Sequence, residues 1–354
     1  DNYGSLSNRM AHELPQSLYP LLSGSNWIAD LQKADTIFLL GTEASITHPL
    51  LENRIRKAFN SGATVLYAND KSTRSSGFST HVIHFKNGKE NLFLYLLLAL
   101  LVKESRTLLP AGIEEQADGT LLDKAMKSCS VNKGVLQTLA SSLMGSRNLC
   151  IIAGGTFFKP GTASETIKAL GNILYLKDGR SRCNIIIPEL ERYAGILPGG
   201  KMLTPAEMLS KAGKKELSAL MVSGDLPLKP VLKKLKFLAQ LNMFRTDLTE
   251  FADVFLPVRG LLESEGHFHA LDGKIRKVRK TVSPQGNSRS ISGIIAALAA
   301  EMNHPGFSAR PGVIWKELQA SIEKDRARDK KLLLNFQPLN PYAQVTGKTG
   351  FALN

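Results

Sequence analysis

The chain has 354 residues, enough for two or three domains with sizeable cores, and its 43% hydrophobic and 21% charged residues are ordinary for a globular protein. Forty-five basic against 31 acidic residues leave a net charge of +14, which attracts nucleic acid, anionic lipid or an acidic protein; the dense stretches Lys229–Lys236, Lys274–Lys280 and Lys324–Lys331 lack interleaved aromatics, so no nucleic-acid partner is expected. The three cysteines, Cys129, Cys150 and Cys183, are far apart and none has C-x-x-C spacing, which argues against a disulfide framework and against a zinc site or iron–sulfur cluster built by this chain alone, and favours a reducing compartment.

Residues 1–25 are mostly polar and read as a leading segment, without the apolar core of a secretory signal. A first α/β lobe is expected over 26–130. A short apolar strand, Asp35–Gly41, ends on glycine. Pro49–Asn60 has helical spacing, with Leu50, Ile55, Ala58 and Phe59 on the apolar side, and Gly62 stops it. Ala63–Ala68 and Val82–Phe85 are the next strands, so a parallel pairing with a right-handed crossover is expected. The longest apolar run, Leu92–Val102, is far short of the roughly 20 residues that span a bilayer and reads as a buried helix closing the lobe. Leu109–Lys133 reads as a linker.

A second α/β lobe is expected over 131–305. Its predicted elements are a helix at Leu136–Met144, a strand at Leu149–Ala153 ending in Gly154-Gly155, and a helix at Thr162–Leu170. A short strand is expected at Ile173–Leu176 and a loop over Ile185–Gly200. Thr204–Ala212 is a helix opening on a capping-box pattern, Thr204 with Glu207. Strands follow at Leu217–Ser223, Phe237–Asn242 and Val254–Leu256, then an Ala/Leu-rich helix over Ser290–Glu301. Residues 306–354 read as a charged helix and an extended tail, a candidate partner-binding arm. No tandem repeat is evident beyond a strand–glycine–helix theme in both lobes.

Ligands of open α/β sheets lie beyond the carboxyl ends of the strands, where glycine lets a phosphate approach the backbone. Four such ends occur: Gly41-Thr42, Asn69-Asp70, Gly154-Gly155 and Gly224-Asp225. His267 and His269 share one strand face, without a third ligand nearby, and read as a polar face; Asp225 and His267 are a conceivable pair that spacing alone does not bring together. The most specific stretch is Ala252–Val278, a buried strand ending on proline, a glycine-bearing return loop and a basic strand. Its Ala252, Asp253, Val254, Leu256 and Pro257, then Glu263, Gly266, Phe268, Gly273 and Lys274, closely resemble the segment that molybdopterin-dependent oxidoreductases carry as A-D-V-x-L-P followed by E-x-x-G-T-F-x-N-x-E-G-R.

The resemblance implies two doubly wound α/β lobes with mostly parallel sheets. It also implies that Gly41, Thr42, Asp70, Gly224 and Asp225 sit in loops that contact a pterin dinucleotide in active relatives. Each loop departs from the family pattern. Glu43 and Ala44 stand for Asn and Pro, Lys71 and Ser72 replace Pro and Arg after Asp70, and Leu226 replaces the Asn before Pro227. A carboxylate at Glu43 repels a pyrophosphate. No cysteine precedes Gly41 to supply the metal ligand of active relatives. Within the superfamily, residues 28 to 305 resemble the C-terminal part of the large iron–sulfur subunit of respiratory NADH:quinone oxidoreductase (complex I), a branch without molybdenum. The expectation is a vestigial pterin site, no cofactor bound by this chain, clusters in an N-terminal part or in partner subunits, and a scaffolding role. The place expected is the cytoplasmic or matrix side, peripheral to an inner membrane and associated with it through other subunits of the complex. Two alternatives stand beside it: a truncated large subunit of a molybdenum or tungsten enzyme such as formate dehydrogenase, which binds a pterin dinucleotide, and a stand-alone basic α/β module that binds nucleotide or nucleic acid.

Overall fold

In a computed structural model the described residues are 28–105, 119–158, 163–177, 182–186, 205–226, 230–269 and 275–329. They fall into two compact units, one holding the described residues up to 186 and the other those from 205 to 328.

The first unit is built on five parallel strands: β1 (Thr36–Leu40), β2 (Thr64–Asn69), β3 (His81–His84), β4 (Asn148–Ala153) and β5 (Arg182–Ile186), in the order β3-β2-β1-β4-β5. β1 is buried at every residue because both sheet faces are covered, as a parallel sheet requires. Ile37 and Leu39 pack with Leu51, Ile55 and Ala58 of helix Pro49–Asn60. Phe38 and Leu40 join the opposite core with helices Glu90–Glu104, Lys133–Gly145 and Ala163–Leu176. Helix Glu90–Glu104 is apolar all round and is buried between its neighbours, as its composition predicts. The chain runs outward from β1 in both directions, so the switch point lies between β1 and β4.

Several expectations need correction. Strand Asn148–Ala153 belongs to the first sheet, not the second lobe, because Thr36 pairs with Leu149 and Leu40 with Ala153. Arg182–Ile186 is a strand of the same sheet, overlapping the expected loop, whose residues 187–200 lie outside the described residues. Part of the expected linker is a helix, Gly119–Cys129, which buries Leu122, Ala125, Met126 and Cys129 at helical spacing. Ile173–Leu176 continues helix Ala163–Leu176 rather than forming a strand. In helix Pro49–Asn60 it is Leu51 that faces the core, while Leu50 is 82% exposed. Residues 1–25, Thr204 with its capping pattern, and 330–354 lie outside the described residues.

The second unit holds a smaller parallel sheet, β6 (Ala219–Ser223), β7 (Phe237–Asn242) and β8 (Val254–Pro257), with β7 central. Leu226, Leu232, Leu238 and Leu248 form its core. An antiparallel ribbon follows, β9 (Gly266–His269) with β10 (Ile275–Val278), then helices Ile291–Glu301 and Pro311–Asp329. Among the described residues no helix is long and apolar enough to cross a membrane.

A repeat that the sequence did not reveal links the sheets. Gly41 N–H donates to Ala68 O at 2.8 Å, and Gly224 N–H to Leu241 O at 2.8 Å. After β2, Thr73 N–H donates to Ser76 Oγ at 3.2 Å; after β7, Thr246 N–H donates to Thr249 Oγ1 at 2.9 Å. Thr80 Oγ1 accepts from Val65 N–H at 3.1 Å, and Asp253 Oδ2 accepts from Leu238 N–H at 2.7 Å. The partners occupy the same steps of each segment; Gly41 and Gly224, and Thr73 and Thr246, are alike in type, but their bonding partners differ, which is why identity conceals the relation.

Candidate functional site

The turn after β1 sits at the switch point, where the first sheet's ligand site is expected. Gly41 has φ 60° and Gly154 N–H donates to Leu40 O at 2.8 Å, so the turns after β1 and β4 lie against each other. A Cβ on Gly154 would fall 2.4 Å from Gly41 O and 2.5 Å from Thr42 Cα, and one on Gly41 2.4 Å from Phe157 Cδ2. Phe157 is wholly buried and stands edge-on to Phe85 at 5.5 Å and Phe93 at 6.4 Å. Thr42 has no exposed surface, and its Oγ1 is buried without a hydrogen-bond partner. The glycines here bring backbone and ring together.

The residues around this turn are internally paired. Glu43 forms an ion pair with Lys71, and that hydrogen bond, followed by the charge of Glu43, raises the Lys71 pKa. Asp70 accepts from Asn87 Nδ2 through one carboxylate oxygen, while the other is buried without a partner. Tyr67 Oη donates to Lys71 O at 2.7 Å and accepts from Asn69 Nδ2 at 3.1 Å, and burial raises its pKa. His84 bridges Ser72 Oγ and Asn69 O, each at 3.2 Å. These bonds fix the loop after β2.

The equivalent turn in the second unit is arranged differently. Gly224 has φ 94° and a Cβ there would meet nothing within 4 Å. Its carbonyl accepts from Gln240 Nε2 at 3.0 Å and Asn242 Nδ2 at 3.2 Å. Asp225 Oδ1 accepts from Leu226 N–H and from Thr246 Oγ1, each at 3.0 Å. Gln240, fully buried, also donates to Thr246 Oγ1 at 3.0 Å and accepts from Thr249 Oγ1 at 2.6 Å. Asp225 is therefore part of the turn's own network, while the outer side of Gly224 stays open.

Residues of the 252–278 pattern hold the local chain. Asp253 ties β8 to β7 through Leu238. Glu263 accepts from Gly260 N–H at 3.0 Å and Gln285 N–H at 2.9 Å, pinning the return loop at both ends. His267 stacks on Trp315 at 5.2 Å, so it and Asp225 keep separate partners. The side chain of His269, Gly273, Lys274 and Pro227 lie outside the described residues. Among the described residues no group of three or more His, Cys, Asp and Glu is placed to hold a metal. Cys129 and Cys150 are buried and outside any disulfide, and burial pushes the Cys129 pKa up to about 12.

The paired turns after parallel strands, followed by the β8 segment, belong to a recognisable architecture. A model of the molybdopterin oxidoreductase family matches residues 5–301. The chain belongs to that family. It is 24% identical over 333 residues to the F420-dependent formate dehydrogenase subunit alpha of Methanocaldococcus jannaschii, covering 79% of this chain and 49% of that protein. It is 23% identical over 330 residues to an NADH-quinone oxidoreductase subunit of Rhizobium meliloti, covering 80% and 38%. Among solved structures, acetylene hydratase from Pelobacter acetylenicus shares the fold with a TM-score of 0.61 at 14% identity, over 81% of this chain and 50% of that one. The chain thus spans half or less of the length of these relatives.

The pterin dinucleotide that the family implies needs open amides and cationic or neutral donors at the strand ends. The residues of this molybdopterin-oxidoreductase chain do not fit it at the first turn. Thr42 is roofed over, Glu43 adds a carboxylate, and Lys71 is committed to Glu43 rather than to a phosphate. The second turn keeps an open glycine but carries Asp225. Of the residues expected at the loops, the structure gathers Gly41 and Thr42 with Gly154, and joins Asp70 to them through the Glu43–Lys71 pair. Gly224 and Asp225 form a site of their own in the second unit. Sequence reasoning missed Phe157, Gln240 and Thr246. The only prior signal for the first was the Gly154-Gly155 pair, whose missing side chains make room for a close neighbour.

Proposed function

We propose that this chain is a non-catalytic molybdopterin-oxidoreductase-like domain of the large iron–sulfur subunit of a respiratory NADH:quinone oxidoreductase, where it scaffolds an electron-transfer complex. The observation that carries the reading is the first turn, whose backbone is sealed by Phe157 and Gly154 and whose flanking charge is spent within the Glu43–Lys71 pair. On this reading the chain binds no pterin dinucleotide, and Gly41, Thr42, Asp70, Gly224 and Asp225 keep structural roles. Iron–sulfur clusters belong to an N-terminal part of the same subunit or to its partners. The partners are other subunits of the complex rather than nucleic acid, and they hold the chain at the cytoplasmic or matrix face of an inner membrane. The similarity to one protein named as a subunit of NADH-quinone oxidoreductase, and to another named as a subunit of formate dehydrogenase, supports a place in a multi-subunit oxidoreductase.

The test is elemental mass spectrometry of the protein isolated from its own source with whatever co-purifies. The expected result is iron confined to cluster-bearing parts or subunits and neither molybdenum nor tungsten. Stoichiometric molybdenum or tungsten contradicts it. A second reading, the large-subunit portion of a molybdenum or tungsten formate dehydrogenase, is favoured by the open outer side of Gly224 and by the formate dehydrogenase relative. It requires the metal that the first reading excludes.

A further inference from the structure

We propose that helix Ile291–Glu301 is a docking seam for an apolar helix of an acidic partner protein. Ile291, Ile295, Leu298 and Met302 follow one another at a spacing that stacks them on one helix face, and they are 41, 41, 43 and 61% exposed. The helix carries no charged side chain before Glu301, yet only Ile294 is buried. A helix apolar on all sides belongs in a protein interior, and this one stands largely in water.

The first unit indicates what covers such a helix. There the sheet face bearing Phe38 and Leu40 packs into the core that holds the all-apolar helix Glu90–Glu104, with helices Gly119–Cys129, Lys133–Gly145 and Ala163–Leu176 around it. At the equivalent steps of the second sheet, Met221 takes the place of Phe38 and is 41% exposed. Val254 of β8, in register with Met221 across the central strand β7, is likewise exposed. Helix Ile291–Glu301 is as apolar as Glu90–Glu104, but among the described residues no helix packs closely around it as Gly119–Cys129, Lys133–Gly145 and Ala163–Leu176 pack around that one. The occupant that matches this gap is therefore helical and apolar.

Charge decides whose helix it is. Arg289 precedes the N-cap Ser290, and Arg310 follows Ala309, whose carbonyl accepts from Ser292 Oγ at 3.4 Å, so two cations flank the positive end of the helix. The whole chain carries +14. A second copy would bring the same cations to the seam, whereas a partner with carboxylates beside its apolar stripe complements it. The proposal holds whether or not the pterin loops are vestigial.

The test places photoreactive p-benzoylphenylalanine at position 298 of the full chain in its native source, with the exposed position 50 as control. The expected result is a crosslink well above the control, to an apolar peptide of net negative charge from a different polypeptide. A crosslink to a second copy, to another part of the same polypeptide or to lipid, or a yield no higher than the control, overturns it. As an independent arm, Leu298→Asp alters an already half-exposed site and is expected to weaken co-purification of that partner by roughly tenfold or more, with Leu50→Asp unchanged. Unchanged co-purification with Leu298→Asp also overturns the proposal.

Discussion

The two sheets share a strand–turn–strand segment but close it in different ways. In the first, the turn after β1 is filled from outside the segment: Gly154 meets its backbone and Phe157 covers it. In the second, the turn after β6 is held from within, by Gln240, Asn242 and Thr246, and its outer side is open. At the steps where the first unit sets Lys71 against Glu43, the second has Phe244, largely exposed, and Leu226. One backbone scaffold thus supports a sealed, charge-neutralised turn and an open, polar-networked one. The difference lies in a few side chains after each glycine.

The largest effect that separates the two turns is expected at their glycines. Gly154→Ala forces a Cβ into backbone and is expected to cost about 3 kcal/mol of stability. Gly224→Ala meets no atom within 4 Å and pays only for its φ of 94°, about 1–2 kcal/mol. Urea denaturation of both variants checks the ranking, and equal costs would break the contrast between sealed and open turns.

Next come the central strand residues at equivalent steps, Tyr67 and Gln240. Gln240→Leu strands several partly buried polar partners at once and is expected to cost about 1–3 kcal/mol. Tyr67→Phe removes one hydroxyl and its bonds to Lys71 and Asn69, and about 1 kcal/mol is expected. The same denaturation series measures both; a larger loss at Tyr67 would mean that the first turn depends on its polar network after all.

A smaller, pH-dependent effect is expected at Lys71. Its pKa is raised by the bond to Glu43, so the stabilisation is complete below the ordinary lysine value and is lost as pH rises through the raised value. Lys71→Met is therefore expected to unfold slightly earlier than the parent at neutral pH, with the gap closing above the lysine range. A gap that widens with pH would contradict the sign. The smallest change concerns Cys129, whose thiol burial keeps protonated well above neutrality. Iodoacetamide at mildly alkaline pH is expected to label it only after denaturation, as peptide mapping reads out.

Local structure was legible where periodicity was strong. Pro49–Asn60, Glu90–Glu104 and the strands ending at Gly41, Gly154 and Gly224 all emerge near their expected positions, because apolar spacing and glycine turns are local signals. Sheet membership was not, since nothing within Asn148–Ala153 records that its neighbour is β1. The helix Gly119–Cys129 escaped because its buried stripe is short and mixed with lysines. At the candidate site the glycines and Asp70 could be named from spacing, but the roles of Phe157, Lys71 and Gln240 are contacts between distant segments. Glu43 shows the gain from structure: an unfavourable carboxylate in the sequence is a neutralised one in the fold.

The central claim is that the first turn is closed to a pterin dinucleotide. The most direct test is acid release and oxidation of the protein isolated from its own source, with the supernatant assayed for fluorescent pterin and for guanine nucleotide. The account predicts neither above background. A pterin and guanine nucleotide released in stoichiometric amounts would contradict it and make this chain the binding lobe of a working oxidoreductase.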